Sequence, residues 1–208
     1  MVSMESASIL EGGFLFLIII YSIILHEIAH GFAAYVQGDE TANRAGRLTL
    51  NPLPHIDLLG SIIIPSIAFL TAGTFFGWAK PVPYNPHNIQ SRFGEVFVAS
   101  AGVLTNLFIA FCAGVVFKFG VSTGVLSQAI GEGLFMVISV NLSLAFFNLI
   151  PIPPFDGMAI LQGLFPRLYI RNDISHNPLY MIGAIFVASF IYGAFMPHIL
   201  GFVSVLIS

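Results

Sequence analysis

Apolar runs long enough to cross a bilayer follow one another along this chain: Ile9 to about Val36, Ile56 to Phe76, Phe93 to Phe117, Gly133 to Ile150 and Leu179 to Ile207. A hydrocarbon core about 30 Å thick needs about 20 apolar residues in a helix to span it. Runs of this length, with hardly a charge inside them, cannot be wrapped in a water-facing shell. Only 8% of the 208 residues are charged and 57% are hydrophobic, whereas an ordinary soluble domain carries about 25% charged residues. Too few charges remain to cover a surface, so the solvent for most of the chain is lipid. The expected fold is an all-α polytopic membrane protein with about four to five transmembrane helices. A formal net charge of −3 argues against nucleic acid or another strongly charged partner.

The segments between the runs carry the breaks. Gly38 to His55 is polar, with Arg44, Arg47 and the turn sequence Asn51-Pro52-Leu53-Pro54. Pro65, Gly60 and Gly73 interrupt the second run, and an extended, proline-rich piece follows from Gly77 to Asn88. Pro81, Pro83 and Pro86 forbid a regular helix there. Small residues from Ala99 to Asn106 offer a close approach between helices. The fourth run ends in Pro151-Ile152-Pro153-Pro154-Phe155-Asp156-Gly157, and Pro197 is expected to divide the last run. The single cysteine, Cys112, permits no intramolecular disulfide and is expected as buried packing. The first run lacks a basic leader and is too long for a signal peptide, so it is read as part of the mature protein. No repeat or linker divides the chain, which reads as one membrane domain over residues 1–208.

Chemistry enters at Tyr21 to Ala33, YSIILHEIAHGFA. Within it His26-Glu27-Ile28-Ala29-His30 is HExxH. Positions i and i+4 share a helix face, about 6 Å apart along the axis, so two imidazoles can grip one metal. Glu27 is turned about 100° from His26, beside the metal, where a carboxylate can take a proton from an activated water. In a soluble protein a lone HExxH is often a solvated helix face. Here it lies inside an apolar span, where each charge costs about 2.5–3.5 kcal/mol. Metal coordination offsets that cost, and no Lys or Arg is near enough in sequence to do so.

Catalytic zinc usually has three protein ligands and one open position. The third ligand must come from the other histidines, His55, His87, His176 and His198, or from Asp57, Glu95, Asp156 and Asp173. Asp156 is favoured, because it follows a proline cluster at the end of a span, where an ionisable group is tolerated only in a protein-lined cavity. His55, His87 and His198 adjoin prolines at span edges and read as interfacial, solvated groups.

Together HEIAH (His26 to His30), GWAKPVP (Gly77 to Pro83), the AGxxxN stretch Ala101 to Asn106 and FNLIPIPPFDG (Phe147 to Gly157) resemble the site-2 protease family of intramembrane zinc metalloproteases. The resemblance implies His26, His30 and Asp156 as ligands of one zinc per chain, and Glu27 as the general base. It also implies that Asn148 positions substrate. The implied substrate is a transmembrane protein, cleaved within or near the bilayer. One departure is Val103, which stands where many members have proline. The chain resembles the compact branch, without PDZ or CBS domains. Two rivals are weighed against this reading. A di-iron oxygenase needs more than six scattered histidines. The other is a non-proteolytic metal-binding or transport protein, and a transporter would need a polar path that the apolar spans do not provide.

The metal also dictates topology. The end of the first run and the end of the fourth must share a membrane face, so one intervening run does not cross. The second run, broken by Pro65, is expected to be re-entrant. Arg44, Arg47, Lys80, Arg92, Arg167 and Arg171 then lie on one side and Lys118 on the other. The positive-inside rule makes the common side cytoplasmic. The expected location is the cell membrane, multi-pass among its lipids, with the active site nearer the cytoplasmic face and the N-terminus outside. The sequence carries no signal for an oligomeric state.

Overall fold

A computed structural model describes residues 4–207 apart from 65, 68–69, 71–78, 92 and 168–176. Among the described residues the elements are α1 (Met4–Tyr35), α2 (Thr41–Arg44), α3 (Gly94–Ser122), α4 (Gln128–Leu149), α5 (Asp156–Leu164) and α6 (Pro178–Ile207). Short turns of 3-10 or π geometry lie at Leu53–His55, Leu58–Ile63 and Pro86–Asn88. Four helices, α1, α3, α4 and α6, are long and apolar enough to cross a membrane. The protein is thus an all-helical, multi-pass membrane protein.

The helices end where the sequence supplies left-handed glycines. Gly38 stands at φ 101°, and Asp39 N–H returns to the Ala34 carbonyl to close α1. Gly46, at φ 65°, ends α2: its N–H reaches Asn43 and that of Arg47 reaches Ala42, the paired bonds of a Schellman cap. Ser127 caps α4 by accepting from Ile130 N–H.

The third helix is the central one and packs on α1, α4, α5 and α6. Its buried positions, Val98, Ala99, Val103, Asn106, Ala110 and Ala113, recur at helical spacing and are mostly small. Ala33 and Ala34 of α1 meet Val98 in the apolar contact between the two helices. Large apolar side chains such as Phe108, Phe111, Phe186 and Phe190 point outward, as lipid-facing residues must.

Three expectations are corrected. Pro197 does not divide the last run, since α6 continues through it. A proline inside a membrane helix loses one backbone bond, which neighbouring structure can absorb. Cys112 lies on the exposed face of α3 rather than in packing. The α3 stripe that packs is the one through Val103, Asn106, Ala110 and Ala113, and Cys112 falls outside it. His55 is buried, not interfacial, and its Nε2 lies 3.0 Å from the Thr49 carbonyl.

The parity argument meets direct contacts. Gln37, just past α1, donates to the Gly94 carbonyl at the start of α3. Asp39 accepts from Asn85 N–H and the Asn88 amide. The chain therefore leaves α1 and enters α3 at the same end of the bundle, so whatever residues 56–76 do, they make no net crossing. Several of those residues, with Gly77 and Trp78, lie outside the described set. At the opposite end Lys118 of α3 donates to the Leu206 carbonyl of α6. In a Cys112→Ser background, cysteines at Asn43 and His87 should react with an impermeant maleimide from one membrane side and a cysteine at Thr123 from the other. Labelling of positions 43 and 87 from opposite sides would show a net crossing.

Candidate metal centre

Residues from two segments meet inside the bundle. His26 and His30 stand one turn apart on α1, within a predicted span. Asp156 opens α5 directly after the proline turn that ends α4. Phe147 packs edge-on to Phe155 with ring centroids 4.7 Å apart, clasping that turn. A Cβ at Gly157 would strike the Leu149 carbonyl, so glycine is what lets α5 start so close to the end of α4.

Among the described residues these three form the one group of side chains able to hold a metal. The Nε2 atoms of His26 and His30 are 3.0 Å apart, and Asp156 Oδ2 lies 3.1 and 3.2 Å from them. Two ligands on a tetrahedral zinc, each 2.0–2.1 Å from the ion, sit about 3.3–3.4 Å apart, so the triangle is close to that of a single coordination shell.

The other ring nitrogens explain the orientation. His26 Nδ1 lies 2.9 Å from Asn106 Oδ1 and His30 Nδ1 lies 2.7 Å from the Val98 carbonyl. Both partners accept only, so each neutral imidazole carries its proton on Nδ1 and turns the Nε2 lone pair inward. Asp156 Oδ2 is buried with no hydrogen-bond donor. Three lone pairs around one point demand a cation or shared protons. Gly102 of α3 forms the wall: a Cβ there would come 2.5 Å from His30 Nε2 and 2.6 Å from His26 Nε2. The donor set and this glycine notch fit one zinc.

Glu27 is held by the proline-rich segment. Its Oε2 accepts from Val82 N–H at 2.7 Å. Val82 lies between Pro81 and Pro83, which have no N–H, so it supplies the single donor of that triplet. Its buried side chain sits against Gly31 of α1, where a Cβ would come 2.7 Å from Val82 Cγ1. Neighbouring Tyr84 is 38% exposed. Burial first, then the negative charges of Glu95 and Asp156, raise its phenol pKa above the ordinary value.

Asn148 is half-buried on α4 with Nδ2 on its own Leu144 carbonyl. The other ligand candidates lie elsewhere. Asp57 caps the Leu58–Ile63 turn by accepting from Gly60 N–H. His55 bonds within its loop. His87, Glu95 and His198 are exposed, and Asp173 and His176 fall outside the described residues. Sequence reasoning gave no role to Asn106, Gly102 or Val82. A signal for the first two existed: a glycine and an asparagine four apart on one face of an apolar helix.

Comparison with known proteins bears on the same residues. The profile of peptidase family M50 matches residues 122–190, a stretch that holds Asn148 and Asp156 but not HExxH. The chain is 40% identical over 159 residues to YwhC of Bacillus subtilis, described as a candidate zinc metalloprotease, covering 74% of this chain and 69% of that protein. It is 28% identical over 144 residues to Rip2 of Mycolicibacterium smegmatis, described likewise, covering 68% of this chain and 53% of that one. No solved structure matches.

Loss of a hydrogen-bond partner behind a ligating histidine typically costs about 10–100-fold in metal affinity. Asn106→Ala should therefore weaken zinc binding by about that factor, and Asn106→Asp should preserve it. Gly102→Ala should abolish binding by filling the notch. Chelator competition measures all three, and unchanged affinity in Asn106→Ala would contradict the orienting role.

Proposed function

Since the chain belongs to peptidase family M50, the site-2 proteases, and is an intramembrane zinc metalloprotease, we propose that it hydrolyses peptide bonds of membrane-spanning protein substrates within or next to the bilayer. His26, His30 and Asp156 hold one zinc per chain, Glu27 is the general base, and Asn148 positions the substrate. The convergence of two inward-facing Nε2 atoms and the donorless Asp156 oxygen on one point carries this reading.

Bound zinc supplies Lewis-acid chemistry, polarising a carbonyl and acidifying water. The protein supplies the rest. Glu27 accepts a proton from the attacking water and delivers it to the leaving amine nitrogen as the C–N bond breaks. Val82 N–H fixes the angle at which that carboxylate is presented. Asn148 retains its Oδ1 and a second N–H for a substrate backbone.

A helical substrate hides its carbonyls in i to i−4 bonds and must unwind locally before attack. The extended piece after α2 could pair with the unwound chain only through backbone groups not already engaged. Lys80 N–H goes to His55, Val82 N–H to Glu27 and Asn85 N–H to Asp39. Among the described residues Tyr84 N–H is left without a partner, as are the carbonyls beside it, so any pairing centres there. Arg44, Arg47 and Lys80 lie at the end of the bundle where α1 stops, and Lys118 at the other, which supports a cytoplasmic-facing site in the cell membrane.

Purified protein should contain about one zinc per chain, the stoichiometry of a three-ligand site. The His26→Ala/His30→Ala double variant and Asp156→Ala should lose it. Asp57→Ala should keep it, and Glu27→Gln should keep it while losing cleavage of a single-span reporter. Equal zinc in the wild type and the double variant would sink the assignment.

A further inference from the structure

Arg47 is buried, at 6% exposure, although it carries a permanent charge. Among the described residues no carboxylate stands within ion-pair distance of it. Its Nη2 donates instead to two consecutive backbone carbonyls, Lys80 at 2.5 Å and Pro81 at 3.3 Å. An unpaired buried guanidinium is expensive, and its hydrophobic replacement would be cheaper if the loop needed only filling. The place it grips is informative. Pro81 is the residue directly before Val82, whose N–H holds Glu27.

Both ends of the grip are fixed. Arg47 issues from the Schellman cap of α2, with its own N–H on the Ala42 carbonyl. The α2 segment is tied in turn to buried Asp39, which accepts from Thr41 N–H. Lys80 N–H is held by the His55 carbonyl. On the far side of Val82 the same Asp39 takes Asn85 N–H and the Asn88 amide. Burial alone would raise the Asp39 carboxyl, but the donors from Thr41, Asn85 and Asn88 outweigh it and hold it below the usual carboxylate range. Between these clamps the prolines at 81 and 83 leave one N–H, and its direction follows from where the carbonyls of 80 and 81 are pulled.

We propose that Arg47 is a positioning residue for peptide hydrolysis, setting the direction of Val82 N–H and through it the orientation of the Glu27 carboxylate. This rests on Glu27 being the general base. A base misaligned by about 1 Å or some tens of degrees loses much of its 10²–10⁴-fold contribution while substrate binding and the metal are untouched.

The test uses the full-length, zinc-loaded protein in detergent micelles and a quenched-fluorescent single-span peptide that the wild type cleaves. Arg47→Met keeps the apolar stem and removes every donor. It should lower kcat about 10–100-fold with KM and zinc content at wild-type values. Arg47→Lys should recover part of the loss, because one ammonium can still serve the Lys80 carbonyl. Replacing Val82 by its α-hydroxy acid through nonsense suppression deletes the N–H, keeps the side chain, and makes the Pro81 carbonyl an ester oxygen that accepts less strongly from Arg47. In that background Arg47→Met should cost no more than about a further twofold, since both changes break the same link. Losses that multiply, a change confined to KM, or loss of zinc in Arg47→Met would each overturn the proposal. Full activity in Glu27→Gln would instead overturn the base assignment beneath it, a result separable from the others.

Discussion

An ionisable side chain inside a lipid-facing helix must be neutralised or bound, at a cost near 2.5–3.5 kcal/mol for each charge left alone. This chain places two imidazoles and a carboxylate within one turn of α1 and brings a second carboxylate to them. Protein groups hold three of their atoms from behind: Asn106 and the Val98 carbonyl the imidazoles, and Val82 N–H the Glu27 carboxylate. What remains unmet, two Nε2 lone pairs and Asp156 Oδ2, points to one place. The arrangement of α1, α3 and the α4–α5 turn follows from the need to close that set.

Close approach is what makes closure possible, and glycine supplies it at three walls. Gly102 leaves room for the ligand face, Gly157 brings α5 against the end of α4, and Gly31 admits the Val82 side chain to α1. Any Cβ at the first would stand against the Nε2 atoms of His26 and His30. These glycines act through the absence of a side chain rather than through backbone freedom. The helix contacts elsewhere depend on small residues for the same reason.

The segment after α1 is the second support of the site. Asp39, Arg47 and His55 are all buried, and each binds backbone rather than another charge. They turn a loop with few donors into a rigid ledge beside the metal centre. That ledge spends most of its N–H groups inward, and Tyr84 N–H is among the few left open.

Much of this was legible in the residues. Apolar run lengths located the spans, because the thickness of a bilayer sets the length of a helix. HExxH named His26, Glu27 and His30, since spacing along one helix decides which side chains share a face. Asp156 was legible from the proline turn before it, and the demand that both ends of the site share a membrane face held α1 and α3 to one end of the bundle. Asn106 and Gly102 left only a faint trace in the sequence, a glycine and an asparagine four apart, while the roles of Val82 and Arg47 were decided by the tertiary structure alone. So were the burial of His55, the exposure of Cys112 and the continuity of α6 through Pro197. The contacts that set the roles of Asn106, Val82 and Arg47 cross tens of residues in sequence: 80 between His26 and Asn106, 55 between Glu27 and Val82, 33 between Arg47 and Lys80. Local pattern encodes which groups need partners, whereas the identity of the partner is fixed only when helices and loops pack and one particular carbonyl, amide or empty Cβ position arrives within 3 Å.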